Sequence, residues 1–390
     1  MSNDLDKNKK VPNVPNLRFS AFTYSWIKTK LQDKCDFYKG TILSKSDLST
    51  IGRPCILYGQ LYTTYKNEII KTVVSKTECK DTNIFIGKSN DVVIPASGET
   101  PEDISTACCV LVDDVLFGGD LNVLRTNHNG SFLSYQLNGK RKFDIAKLAV
   151  GKSIVHLHND QLKKLDCYFP QTVEEENKIV ALLDALDEKI NTQNKIIKAL
   201  TSLIKQLKVN SFSKMEINGS SYYFEELFIK YSKNNMMNYP QYSVGKYGIK
   251  SMEQSNLYST NNHIVFEPNS LILGIGIDEC GVSKDLYGCC SPIYKIYKIN
   301  NEIIKPDFVD LFIELFLEKK KNFISQKSTR REYEIVYSLL DKTLFCIPSI
   351  NEQEKIAFPI KKLIEKLNLE KEILNKYVEE KNYLLANLFI

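Results

Sequence analysis

Apolar side chains recur every three and four residues through positions 171–210: Ile179, Leu183, Leu186, Ile190, Gln193, Ile197, Leu200, Ile204 and Leu207 keep a 4-3-4-3 spacing. That spacing is the seam of a coiled-coil helix. Shifted by 177, the same register reappears as Ile356, Ile360, Leu363, Leu367, Glu370, Leu374, Tyr377, Lys381 and Leu384. Each seam is entered shortly after a proline, Pro170 or Pro348, through residues spaced as a capping box: Thr172 with Glu175, and Ser349 with Glu352. The pattern predicts two long helices that pair antiparallel, with the polar seam residues Gln193 and Glu370 meeting at the centre and fixing the register. Pro359 predicts a kink or a delayed start in the second helix.

Ahead of each seam the apolar period shortens. Runs at 54–65, 82–87, 91–99 and 107–114 read as short strands between turns, followed by a helix over 132–148 and a closing strand at 163–170. Residues 222–348 repeat this order. Trp26 and Leu31 align with Tyr222 and Leu227, Pro54 and Gly59 with Pro240 and Gly245, and 91–97 with 270–276. Cys108-Cys109 then aligns with Cys289-Cys290, and 137–143 with 317–323. The expected fold is α+β, with two tandem α/β domains, two long antiparallel coiled-coil helices and a pseudo-twofold internal repeat. Its boundaries are a flexible leader at 1–16, a first domain at 17–170, a helix at 171–210, a second domain at 211–348 and a helix at 349–390. Residues after Leu207 are expected to form an exposed link, where a four-residue insertion would change the separation of the domains.

The chain has 390 residues, of which 43% are hydrophobic and 25% charged, so two or three globular domains fit it. A net charge of +5 permits a nucleic-acid partner. Ten cysteines, with two vicinal pairs and no CxxC, point to reduced thiols and a cytoplasmic location. The apolar runs are too short to span a bilayer, which argues against a membrane protein.

The charge is clustered at matching places in the two copies. Lys140, Arg141, Lys142, Lys147 and Lys152 stand in the first, and Lys319, Lys320, Lys321, Lys327, Arg330 and Arg331 in the second. Cationic groups at a helix end can grip phosphates without reading sequence. Base reading needs polar and aromatic groups on turns, and Arg53, Tyr58, Gln60, Tyr62 and Lys66 form such a set, as do Lys246, Tyr247 and Lys250. The catalytic search is negative. There is no phosphate-binding loop, His156 and His158 lack partners at metal-ligand spacing, and Asp187-Glu188-Lys189 falls on what the heptad makes an exposed charged face. No metal site is expected in this chain, and binding is expected in place of catalysis.

The layout of proline, long helix and preceding strand, seen in 149–190 and again in 325–367, resembles the specificity (S) subunit of type I restriction-modification systems, the HsdS family. The resemblance implies two target recognition domains, each reading one half of a bipartite sequence in double-stranded DNA. It implies that the helix pair sets their spacing and docks two methyltransferase (M) subunits, and through them the restriction (R) subunits. It also implies that S-adenosylmethionine, ATP and Mg are bound by those partner subunits and no cofactor by this chain. The alternatives are a recognition subunit of a methylation-only system, or a coiled-coil scaffold that binds proteins.

Overall fold

A computed structural model describes residues 13–65, 67–80, 85–151, 154–233, 239–246, 248–252, 263–328 and 332–390. It divides into two compact units: residues up to Asn194 together with Glu372–Ile390, and Lys195–Lys371. The predicted helices are both present, at Val173–Asn218 and Ile350–Asn387. Every seam position on them is buried or half-buried.

In the first unit two mixed sheets carry the body. One has the strand order Cys35–Lys39, Leu121–Thr126, Asp91–Pro95, Cys108–Val110, Ile69–Ile70; the other has Leu48–Ser49, Ser75–Thr77, Arg53–Ile56, Val115–Phe117, Ile86–Gly87. Asp91–Pro95 is buried at every residue, which is why it reads as a continuous apolar run instead of an alternating one. Helices Gly130–Asn138 and Lys142–Leu148 follow strand Leu121–Thr126, with a break at Gly139 that divides the single helix expected over 132–148. Leu183, Leu186 and Ile179 of the first long helix share one core with Leu384 of the second and with Leu388 and Phe389 just after it. Further along, Asp187 meets Lys381, and the Lys189 ammonium lies 5.8 Å over the Tyr377 ring. The helices therefore run antiparallel here.

The second unit repeats the plan, with fewer strands among the described residues. Its sheets are Phe228–Tyr231, Lys295–Ile299, Ser270–Leu273, Cys280–Val282, and Gly248–Ser251, Gln241–Gly245, Gly288–Cys290, Ile264–Phe266. Helix Pro306–Ile324 follows its central strand, and Ile204, Phe212 and Met215 share a core with Ala357 and Ile360.

Several sequence expectations change on this frame. Val115–Phe117 lies between Arg53–Ile56, parallel to it, and Ile86–Gly87, antiparallel; Gly288–Cys290 lies in the same way between Gln241–Gly245 and Ile264–Phe266, whereas Cys108–Val110 runs parallel to Ile69–Ile70 in the other sheet. Cys289-Cys290 is thus the counterpart of Val115–Phe117, while Cys108-Cys109 corresponds to Cys280–Val282; two adjacent short apolar strands were interchangeable by composition. The closing strands set another register. Ile27 lies opposite Phe169 and Ser220 opposite Ile347, each partner standing just before the proline, so Leu31 matches Phe224, not Leu227. The run at 54–65 is a strand only to Ile56 and turns into the short helix Gln60–Thr63.

The first long helix continues to Asn218, so Leu207 is not followed by an exposed link; burial of Phe212 and Met215 carries the helix on. An insertion after Leu207 would turn those two side chains off their core. The second helix starts at Ile350 and passes through Pro359. The proline sits on an exposed stretch beside Phe358, so the carbonyl it leaves unpaired faces water. Ser349 forms its expected cap, its amide donating to Glu352 at 3.1 Å. Glu175 does not act as a cap for Thr172: its carboxylate accepts two bonds from Arg18, at 2.7 and 2.8 Å, and one from the Trp26 indole at 3.1 Å. Of the predicted leader, residues 1–12 lie outside the described part, and 13–16 are docked. Pro15 is buried, Trp26 donates to the Asn13 carbonyl, and Leu17 donates to the carbonyl of Asn387.

The residue after Glu175 locks each helix to its domain. Glu176 is fully buried and accepts from the amide of Asn129, the N-cap of helix Gly130–Asn138, at 2.8 Å. Its counterpart Gln353, also fully buried, accepts from the amide of Lys305, the N-cap of Pro306–Ile324, at 2.9 Å.

Candidate nucleic-acid interface

The turn set of the first domain is built on the bend after Arg53–Ile56. Gln60 is turned inward: its carbonyl oxygen accepts from the Leu57 amide at 2.9 Å and its NH2 donates to Ser75 at 2.5 Å, which fixes the bend. Arg53 is exposed, while Tyr58 and Tyr62 are half-buried. Burial pushes the Tyr62 hydroxyl above its usual range, helped by Tyr58, Asp103 and Glu99 nearby. In the second domain Lys246 and Lys250 are exposed on a hairpin that pairs Val244 with Ile249. Gly248 has φ of 81°, a left-handed conformation that glycine adopts without strain and that closes the turn. Lys66, Lys152, Tyr247, Arg330 and Arg331 lie outside the described residues.

The basic clusters separate into outward and inward members. Lys140 and Lys147 are exposed and Lys142 is half-buried. Arg141 is held within its own unit: it donates to Asp144 at 2.9 Å and to the Ile390 carbonyl at 2.6 Å, and its guanidinium lies 5.2 Å over the Tyr168 ring. In the second domain Lys319 and Lys327 are exposed and Lys320 is half-buried. Lys321 pairs with Glu318 at 2.6 Å and stands 5.1 Å from the Tyr333 ring.

Counted from the N-caps Asn129 and Lys305, Phe143 corresponds to Lys319 and Lys147 to Phe323. The far end gives nearly the same offset, because Val150 bridges His156 where Ser325 pairs with Ile335. The alignment of 137–143 with 317–323 is therefore out by about one helical turn. Each domain presents one exposed phenylalanine and one exposed lysine at the same two places, in opposite order; Phe143 is 75% and Phe323 72% exposed. In the first domain the Lys147 ammonium covers the Phe143 ring at 5.4 Å.

Sequence reasoning missed two groups. Arg125, on strand Leu121–Thr126, is clamped by the buried Asp91 carboxylate at 2.8 and 2.7 Å and stacks over Tyr38 and Phe85 at 5.2 and 5.4 Å. An arginine within a largely buried strand, Leu121–Thr126, was the available signal. Lys205 and Lys208 of the first long helix join Lys246 and Lys321 around a cleft of about 900 Å³ in the second unit, opposed by Glu314 and Glu332. Burial pushes the Lys208 ammonium below its usual range, against the pull of Glu314 and Asp310.

Among the described residues no group of three or more His, Cys, Asp and Glu could hold a metal ion, and no helix is long and apolar enough to cross a membrane. His156 meets Ser97 at 2.9 Å and stacks on His158 at 6.3 Å.

No curated protein matches the sequence. Among solved structures the chain is similar to the S subunit of a type I restriction-modification system from M. genitalium. The TM-score is 0.65 at 16% identity, over 96% of this chain and 99% of that one. It is also similar to a chain from a structural study of complex assembly and conformational transition in the type I R-M system, with a TM-score of 0.52 at 13% identity over 92% and 96%. At such identities the likeness speaks for the fold. The family model described as the type I restriction modification DNA specificity domain matches residues 4–202, about half of the sequence, and on that match the chain belongs to the type I restriction-modification specificity family.

Proposed function

We propose that this chain is the non-catalytic specificity subunit of a type I restriction-modification complex, reading a bipartite sequence in double-stranded DNA with one half assigned to each domain. The observation that carries this is the repeated plan: two sheet-and-helix bodies with the same strand pairing, each leading through a proline into a long helix. Lys140, Lys147, Lys319 and Lys327 supply phosphate contacts that hold each body in place. Arg53, Tyr58 and Tyr62, with Lys246 and Lys250, stand on the bends that reach base edges. Helices of 46 and 38 residues are about 69 and 57 Å long at about 1.5 Å per residue, ample for half-sites one duplex turn apart, roughly 34–36 Å. The helix pair docks two methyltransferase subunits and, through them, the restriction subunits. Adenine methylation and ATP-driven cleavage belong to those partners, which bind S-adenosylmethionine, ATP and Mg.

The test is domain exchange. Replacing residues 17–170 with the matching domain of a relative, followed by mapping of methylated adenines in cells, is expected to change one half of the motif and leave the other intact. Change in both halves, with the assembly still formed, would refute independent reading.

A further inference from the structure

Lys381 of the second long helix is half-buried in the first unit between two buried carboxylates. Its ammonium lies 2.6 Å from Glu68 and 2.6 Å from Asp187, and the Tyr135 hydroxyl donates to the other Asp187 oxygen at 2.7 Å. The Asp187 predicted for a charged surface is only 3% exposed, because the body of the domain covers that face of the helix. The four side chains come from four places: the loop before Ile69–Ile70, helix Gly130–Asn138 and both long helices. Burial works against the Lys381 charge, but Glu68 and Asp187 more than restore it and hold its pKa above the usual range.

The second unit answers the same positions differently. With the long helices offset by 177, Asp187 corresponds to Ile364 and Lys381 to Ile204. Counted from the N-caps, Tyr135 corresponds to Leu311. Ile204 and Leu311 belong to one buried core and Ile364 packs against it. A closed polar network in one half is thus replaced by aliphatic packing in the other.

We propose that this difference is a pairing key, by which each domain accepts only its own helix segment. If the Ile204 segment docked on the first domain, Glu68 and Asp187 would be buried with no cation. If the Lys381 segment docked on the second, its ammonium would lose Glu68 and Asp187 and meet Ile364 and Leu311 in their place. Buried charges without partners are strongly unfavourable, and a polar group that is satisfied in one pairing only is a means of rejecting the others. The key therefore keeps two similar halves from exchanging helix segments, within a chain or between two copies, while the chain folds.

The full-length chain tests this. A four-fold variant, Glu68→Leu, Tyr135→Leu, Asp187→Ile and Lys381→Ile, writes aliphatic side chains into the first unit. After unfolding in denaturant and refolding at micromolar concentration, size-exclusion chromatography with light scattering compares its species with those of the wild type. The expected result is retained helicity by circular dichroism with a severalfold larger share of misassociated oligomers. A second variant guards against a general folding defect: Lys381→Asp alone is expected to misassociate, and Lys381→Asp with Asp187→Lys to recover. A four-fold variant that refolds to the wild-type distribution, or an exchanged pair no better than Lys381→Asp alone, would overturn the proposal.

Discussion

Arg141 and its lysine neighbours look alike in the sequence, but the structure assigns them different work, and a salt titration can separate the two. Lys140 and Lys147 are exposed. Replacing both with alanine removes up to two phosphate contacts, and each contact contributes about 0.9 to the slope of log affinity against log salt, so the slope falls by roughly 1.8. Between about 50 and 200 mM salt that is close to a tenfold smaller loss of affinity than the wild type shows. Stability should move by less than about 0.5 kcal/mol, as for other exposed substitutions. Arg141→Ala should do the reverse. It loses Asp144, the Ile390 carbonyl and the Tyr168 ring from a side chain only 17% exposed, a cost of about 1–3 kcal/mol, with the slope unchanged. Fluorescence anisotropy of a labelled duplex gives the slopes, and denaturant titration gives the stabilities. A slope untouched by the lysine changes, or lowered by Arg141→Ala at full stability, would refute the division.

Two further outcomes are expected. Arg18→Met leaves Glu175, 2% exposed, with only the Trp26 indole, and should cost about 3–5 kcal/mol by the shift of the denaturant midpoint at constant slope; Arg18→Met with Glu175→Leu should recover much of it, and a single-variant loss under about 1 kcal/mol would contradict the assignment. Burial pushes the thiols of Cys35, Cys109, Cys167, Cys280 and Cys290 up to about 12, so at pH 8 they stay protonated, while Cys79 and Cys346 are only half-buried. Iodoacetamide labelling followed by mass spectrometry should find Cys79 and Cys346 modified first, and equal rates at Cys109 or Cys167 would show those sites to be open.

The long helices were legible because their period is sustained over many turns, and the order of elements because it occurs twice. Register within the short strands was not. Cys108-Cys109 and Cys289-Cys290 are both buried apolar pairs, and only hydrogen-bond partners reveal that they occupy different strands. The same limit hid the inward roles of Gln60 and Arg141, since a turn glutamine and a helix-end arginine look alike whether they face a neighbouring amide or solvent. The helix over 132–148 read as one element because its apolar positions run on through the break at Gly139. Asp187 was misplaced for a related reason: a heptad seam defines one buried stripe, and a second stripe covered by the domain body leaves no signal in that period.

What the two halves keep in common bears on how recognition can vary. Glu176 and Gln353, at matching positions of the long helices, both grip main-chain groups. Glu176 accepts from the Asn129 amide, and Gln353 accepts from the Lys305 amide while donating to the carbonyls of Ile303 and Pro348. A backbone amide is present whichever side chain the position carries, except proline. This one contact depends little on the domain's own sequence, whereas the first junction adds side-chain contacts of Glu176 with His128 and of Glu175 with Arg18 and Trp26; the halves differ in the Arg125 stack and in the network around Lys381 without losing the contact to the amide. On the proposed function, a body replaced as a whole is expected to meet its helix through the same amide, so the bends that carry Arg53 or Lys246 can diverge without disturbing that contact.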